Sequence, residues 1–103
     1  MSVILYVSYT GTAQDRFDRE YYSHKHVPMV IEAWKACGLV SAQALYPLSL
    51  DENQPGTVAI CECVFRDEAA LEAALSAPGT PALVADVPNF TDLAGQHHRG
   101  APL

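Results

Sequence analysis

The stretch Thr57-Val58-Ala59-Ile60-Cys61-Glu62-Cys63-Val64-Phe65 is largely apolar on both alternating sets, with Val58, Ile60 and Val64 on one side and Ala59, Cys61, Cys63 and Phe65 on the other. Side chains of a strand alternate across the pleat, so such a strand belongs inside a sheet with cover above and below. Residues 39–48 read as the strand before it. Residues 49–56, carrying Asp51, Asn53, Pro55 and Gly56, form a long hairpin connection between the two. Upstream, residues 3–9 are β-branched and aromatic and stop at Thr10-Gly11, which predicts a first strand. Downstream, Asp67 caps a helix whose stripe of Ala70, Leu71, Ala74 and Leu75 faces inward and ends before Pro78-Gly79. Thr80-Pro81 restarts a short turn, and residues 90–97 supply a fourth strand.

Between the first two strands, Thr12 and Asp15 stand in a capping arrangement, and the helical signal carries to Cys37, where Gly38 serves as the C′ residue. Pro28 lacks an N–H and clashes with the His24 carbonyl, so the helix is expected to kink or break at Val27. The order β-α-β-β-α-β is the split βαβ of ferredoxin-like α+β folds, with an antiparallel sheet of order 4-1-3-2 and helices on one face. In so small a chain the other apolar face calls for a second copy, and a homodimer is expected.

With 103 residues, positions 1–103 are read as one domain. Six basic against twelve acidic side chains leave a net charge of −6, which repels a phosphate backbone and argues against a nucleic-acid partner. The apolar run at the N-terminus breaks at Ser8 and has no basic residues before it, so neither a signal peptide nor a membrane segment is expected. Cys37, Cys61 and Cys63 are odd in number and hold no C-x-x-C pair, which points to reduced thiols and a cytoplasmic protein.

On a helical wheel over residues 12–37, Tyr22, His26, Met29, Val30, Ala33, Trp34 and Cys37 share one sector with His26 near its centre. The imidazole is therefore aimed inward, either as a satisfied core histidine or as part of a site. Tyr22 lies one turn before it, within i,i+4 reach. A Tyr/His pair in a dry cleft can move a proton, with the imidazole as base and the phenol as donor to a developing oxyanion. His24 and His26 are two apart on a helix and point about 200° from each other, so they cannot share a metal ion. No zinc-like spacing, glycine-rich phosphate loop or G-x-S-x-G elbow occurs, so neither metal nor cofactor is expected. His97 and His98 read as a mobile, solvated tail. Cys61 and Cys63 point the same way as small hydrophobes, and Glu62 between them reads first as a structural salt bridge, with a cleft acid or a pair across a dimer as alternatives.

Phe17-Asp18-Arg19-Glu20-Tyr21-Tyr22-Ser23-His24-Lys25-His26-Val27-Pro28-Met29 resembles the F-x-x-x-Y-Y-x-x-x-H-x-P-L signature of the EthD family. Asp86-Val87-Pro88-Asn89-Phe90-Thr91 is similar to its second landmark, D-[IV]-x-N-F, and Phe65-Arg66-Asp67 fits as a third block, so the likeness covers residues 3–91. The resemblance implies a dimeric α+β barrel with a site between sheet and helices of each subunit, and it aligns His26 and Tyr22 with the signature histidine and second tyrosine. It further implies isomerase, decarboxylase or oxygenase chemistry, although a shared fold does not fix a reaction. The expectation is a cofactor-independent enzyme acting on a small hydrophobic cyclic or aromatic metabolite. His26 and Tyr22 are its candidate catalytic pair, with Phe17, Tyr21, Met29, Trp34, Phe65 and Phe90 as candidate walls. A non-catalytic ligand-binding or structural homodimer is the alternative, and haem binding through His26 a weaker third. The polar segment Leu93-Ala94-Gly95-Gln96-His97-His98 departs from the aliphatic closing strand of such proteins.

Overall fold

A computed structural model describes residues 2–102. Four strands, β1 (Val3–Gly11), β2 (Leu39–Leu45), β3 (Gly56–Phe65) and β4 (Gly95–Gly100), pair antiparallel in the order β2-β3-β1-β4, the expected order seen from the other edge. Alternation divides β1 and β3, apart from Val58, which is buried at the shift in their register. Leu5, Tyr9, Ala59, Cys61, Cys63 and Phe65 are buried against the helices, while Ile4, Tyr6, Ile60, Glu62 and Val64 lie half-buried on the opposite face. Glu62 stands opposite Tyr6 and Gln43 on that second face and accepts a hydrogen bond from Gln43 Nε2 at 3.2 Å. The expected salt bridge is thus replaced by an amide contact.

The helical layer starts later than the Thr12 signal predicts. The Thr12 N–H does donate to Asp15 Oδ2 at 2.7 Å, but it closes a turn and no helix follows. Phe17 then bridges Thr91 in extended conformation, and the helix begins only where the Asp18 side chain accepts the Tyr21 N–H at 3.0 Å, opening α1 (Arg19–Tyr21). Nor does Pro28 break the helix. The chain passes from α1 through a π-helical turn (Tyr22–His26) into α2 (Val27–Trp34), with the Val27 N–H bonded to the Tyr22 carbonyl one residue beyond α spacing. Pro28 sits in the first turn of α2, and the wide turn ahead of it relieves the clash with the His24 carbonyl. The extra residue brings Tyr22 and His26 both into the interior. A 3₁₀ turn (Lys35–Cys37) ends at Gly38, whose φ of 101° and close approach to Ala70 only a glycine accommodates.

After β3, Asp67 accepts the Ala70 N–H at 2.8 Å and opens α3 (Glu68–Leu75) as expected. Thr80-Pro81 begins a full helix, α4 (Thr80–Asp86), and not merely a turn; a 3₁₀ turn (Val87–Asn89) extends it. The fourth strand is the largest departure. Phe90 and Thr91 are fully buried and tied to the opposite loop, Phe90 O accepting from the Asp18 N–H at 2.8 Å and Thr91 Oγ1 donating to Arg16 O at 2.7 Å. They serve the core, so β4 starts only at Gly95. Its largely exposed side chains carry no hydrophobic signal, and the backbone ladder to β1 holds it. His97 and His98 accordingly lie in β4 opposite Val7 and Tyr6, not in a mobile tail. Among the described residues no helix is long and apolar enough to cross a membrane.

Candidate active site

His26 leaves the π turn toward the sheet and is buried there, 6% exposed. Its Nδ1 lies 2.8 Å from Asp86 Oδ2 at the end of α4. The other carboxylate oxygen, Oδ1, accepts the Tyr21 hydroxyl at 2.7 Å and Asn89 Nδ2 at 2.9 Å. Burial pushes the Asp86 carboxyl up, but the hydrogen bonds from His26, Tyr21 and Asn89 outweigh it and hold the group below its ordinary value. A carboxylate only accepts, so Nδ1 carries the hydrogen and the lone pair of the neutral ring sits on Nε2. Among the described residues Nε2 finds no partner, and yet no buried side-chain nitrogen or oxygen is left unpaired. The ring borders the cavity between helices and sheet.

Aromatic faces fix the plane of that ring. Tyr22 stacks on His26 with centroids 5.3 Å apart and planes 13° apart, and Phe90 closes in at 4.7 Å. The Tyr22 hydroxyl approaches the Cys61 thiol and not the imidazole. Burial, with Cys61 and Tyr9 nearby, drives this phenol far above its usual range, so it stays protonated. Cys61 and Cys63 share one face with sulfurs 3.6 Å apart. Either sulfur can donate in that contact, which raises the Cys63 thiol and lowers Cys61.

A cavity of about 90 Å³ opens between helices and sheet, its wall including Tyr9, Tyr22, His26, Trp34, Leu83 and His97. It is predominantly apolar. Its volume falls short of the roughly 300 Å³ at which drug-sized sites begin and nears the ~150 Å³ that holds benzene. It suits a ligand of one ring at most.

The structure thus gathers His26, Tyr22 and Trp34 at one cavity, with Trp34 Nε1 held by Thr80 Oγ1 at 2.9 Å. Phe17 and Phe90 lie one layer behind, packed with Tyr9 and Tyr22, and Phe65 packs on Trp34. Tyr21 stands on Asp86. Met29 is apart, on a shallow groove formed with Ala82 and Leu83 outside the cavity. His24 is exposed beside Glu20, and among the described residues no three His, Cys, Asp or Glu side chains gather as a metal site. Asp86, Tyr9 and His97 are the site residues that sequence reasoning did not single out. The Asp86-Val87-Pro88-Asn89-Phe90 block was the available signal for the first.

The EthD domain matches residues 10–94 of the chain. An EthD-like protein from Ralstonia eutropha JMP134 is 25% identical, with a TM-score of 0.82 over 96% of this chain and 89% of that one. An ethyl tert-butyl ether D (EthD) family protein from Bacillus halodurans C-125 is 19% identical, with a TM-score of 0.73 over 100% of both chains. A mutant of SnoaB, a cofactor-independent oxygenase from Streptomyces nogalater, shares the fold at 13% identity and a TM-score of 0.70, over 98% of this chain and 92% of that one. No curated protein matches the chain.

Asp86→Asn keeps the shape of the buried side chain and removes its charge. It is expected to cost about 1–3 kcal/mol at neutral pH in urea denaturation. The folded carboxyl lies below its unfolded value of about 4, so its contribution is complete above that value and fades as pH falls through the lower one. The stability curves of the two proteins should therefore converge in acid. Equal stability at neutral pH, or a constant gap down to strong acid, would contradict this role.

Proposed function

The chain belongs to the EthD domain family, and from that premise we propose that it is a small cofactor-independent enzyme in which His26 takes a proton from a hydrophobic cyclic metabolite. The observation that carries the reading is an imidazole whose Nδ1 is held by a buried carboxylate and whose ring borders an apolar cavity, which leaves Nε2 as the nitrogen free to act. Nε2 accepts a proton from a carbon next to a carbonyl, and the electron pair of the broken C–H bond passes into an enolate. Asp86 stabilises the imidazolium that forms and keeps the ring in the productive tautomer. Tyr22 and Phe90 hold the ring plane so that the lone pair keeps its direction. The enolate can be reprotonated at another carbon, which is isomerisation, or react with dioxygen; SnoaB, which shares the fold, is a cofactor-independent oxygenase.

A second copy of the chain covers the outer sheet face in this reading. Ile4, Tyr6, Ile60 and Val64 form its apolar centre, and Val64→Arg would place charges against one another across a two-fold axis. Sedimentation velocity should find the wild type as a dimer and the variant as a monomer. A monomeric wild type removes the dimer from the proposal.

The catalytic reading is tested by deuterium uptake next to the carbonyl of monocyclic enones and lactones, followed by proton NMR in D₂O. His26→Gln, checked for folding by circular dichroism, should lower the exchange rate by about 10²-fold or more. Exchange that survives the substitution unchanged removes His26 as the base, and wild-type exchange no faster than in buffer favours a non-catalytic ligand-binding dimer.

A further inference from the structure

We infer that Tyr9 and His97 form an oxyanion-binding pair on the sheet wall of the cavity, opposite the His26 base, and that the substrate carries a carbonyl or enol oxygen which this pair receives. The inference rests on the proton-abstraction reading above, which supplies a base but no donor for the oxygen on which the charge collects.

The polar groups around the cavity leave few candidates. Thr80 Oγ1 donates to the Ala74 carbonyl at 2.6 Å and accepts from Trp34 Nε1, so both of these donors are engaged. The Tyr22 hydroxyl is turned to Cys61, and the two thiols contact each other. Tyr9 and His97 remain. Neither side chain makes a hydrogen bond among the described residues, and both border the cavity. Tyr9 is only 2% exposed and His97 is exposed, and the cavity is the space that both residues border.

Strand register brings the two together. Tyr9 of β1 stands opposite Gly95 of β4, and Val7 opposite His97, which makes Tyr9 and His97 diagonal neighbours on the helix-facing side, with backbones about 7–8 Å apart. The proposal places one oxygen between these two side chains. Gly95 keeps the space open, because a Cβ there would stand 3.3 Å from Tyr9 Cε1 and 3.5 Å from its hydroxyl oxygen. Edge contacts from Phe17, Tyr22 and Phe90 fix the Tyr9 ring. A neutral imidazole always has one N–H to give, whichever tautomer His97 adopts. The Tyr9 phenol also keeps its proton, since burial and then the neighbouring Cys61 push it up to about 12.

As the C–H bond breaks, the proton moves to His26 Nε2 and the electron pair moves through carbon onto the carbonyl oxygen. The O–H of Tyr9 and the N–H of His97 then strengthen their bonds to that oxygen without losing their own protons. Donors fixed in advance and aimed where charge develops favour the transition state over the substrate.

The test compares p-nitrophenol, whose ionised fraction is read in visible absorbance, with p-nitrotoluene, which has a methyl group in place of the oxygen. Wild-type protein should bind the phenolate at least tenfold more tightly than the toluene. Tyr9→Phe and His97→Gln should each reduce that preference about tenfold, slow carbonyl-adjacent exchange by about 10²-fold, and leave p-nitrotoluene binding within twofold. A preference that persists in both variants, or equal loss of both ligands, overturns the pair. If His26→Gln abolishes exchange while wild-type protein shows no preference for the phenolate, the base stands and the oxyanion pair falls. A wild-type protein that neither exchanges protons nor takes up either ligand overturns both.

Discussion

The hydrogen bond from His26 Nδ1 to Asp86 Oδ2 joins the π turn of the first helical segment to the last residue of α4. Most of the candidate site depends on it. Asp86 is also the acceptor for Tyr21 and Asn89, so a single buried carboxylate gathers three side chains from two separate helical regions. A buried carboxylate is tolerated only when its oxygens are paired, and removing one donor leaves the rest of the cluster exposed to that cost. The bond ties together the two helical segments that wall the cavity on the side away from the sheet, and it also selects which imidazole nitrogen is left unbonded.

Strands and helices were legible where the sequence pattern and the packing agree. β1, β3, the Asp67 cap and the Gly38 stop stand where alternation, capping and glycine conformation put them. The pattern misled where a local signal answers to a different structural need. Thr12 and Asp15 make their capping contacts around a turn. Pro28 is accommodated by a π turn that periodicity at 3.6 residues cannot register, and β4 is held by backbone bonds along side chains that are nearly all exposed.

The site was legible in part for the same reason. The spacing of Tyr22 and His26 survives because the widened turn still buries both, and it becomes a ring stack in place of a hydroxyl contact. Asp86 lies sixty positions from His26, so local spacing carries no trace of their contact. Tyr9 looks like any aromatic residue of a buried strand until register places Gly95 across from it. The role of His97 depends on β4 beginning at Gly95, a boundary without hydrophobic periodicity to mark it.

The protonation of the His26 ring tests the account most directly. Nitrogen-15 NMR of the histidine-labelled protein distinguishes a protonated from an unprotonated ring nitrogen, and in the neutral form His26 should carry its hydrogen on Nδ1 with Nε2 bare. A neutral ring with its hydrogen on Nε2 would contradict the account, because Asp86 would then hold no N–H of that ring and Nε2 could not act as the base.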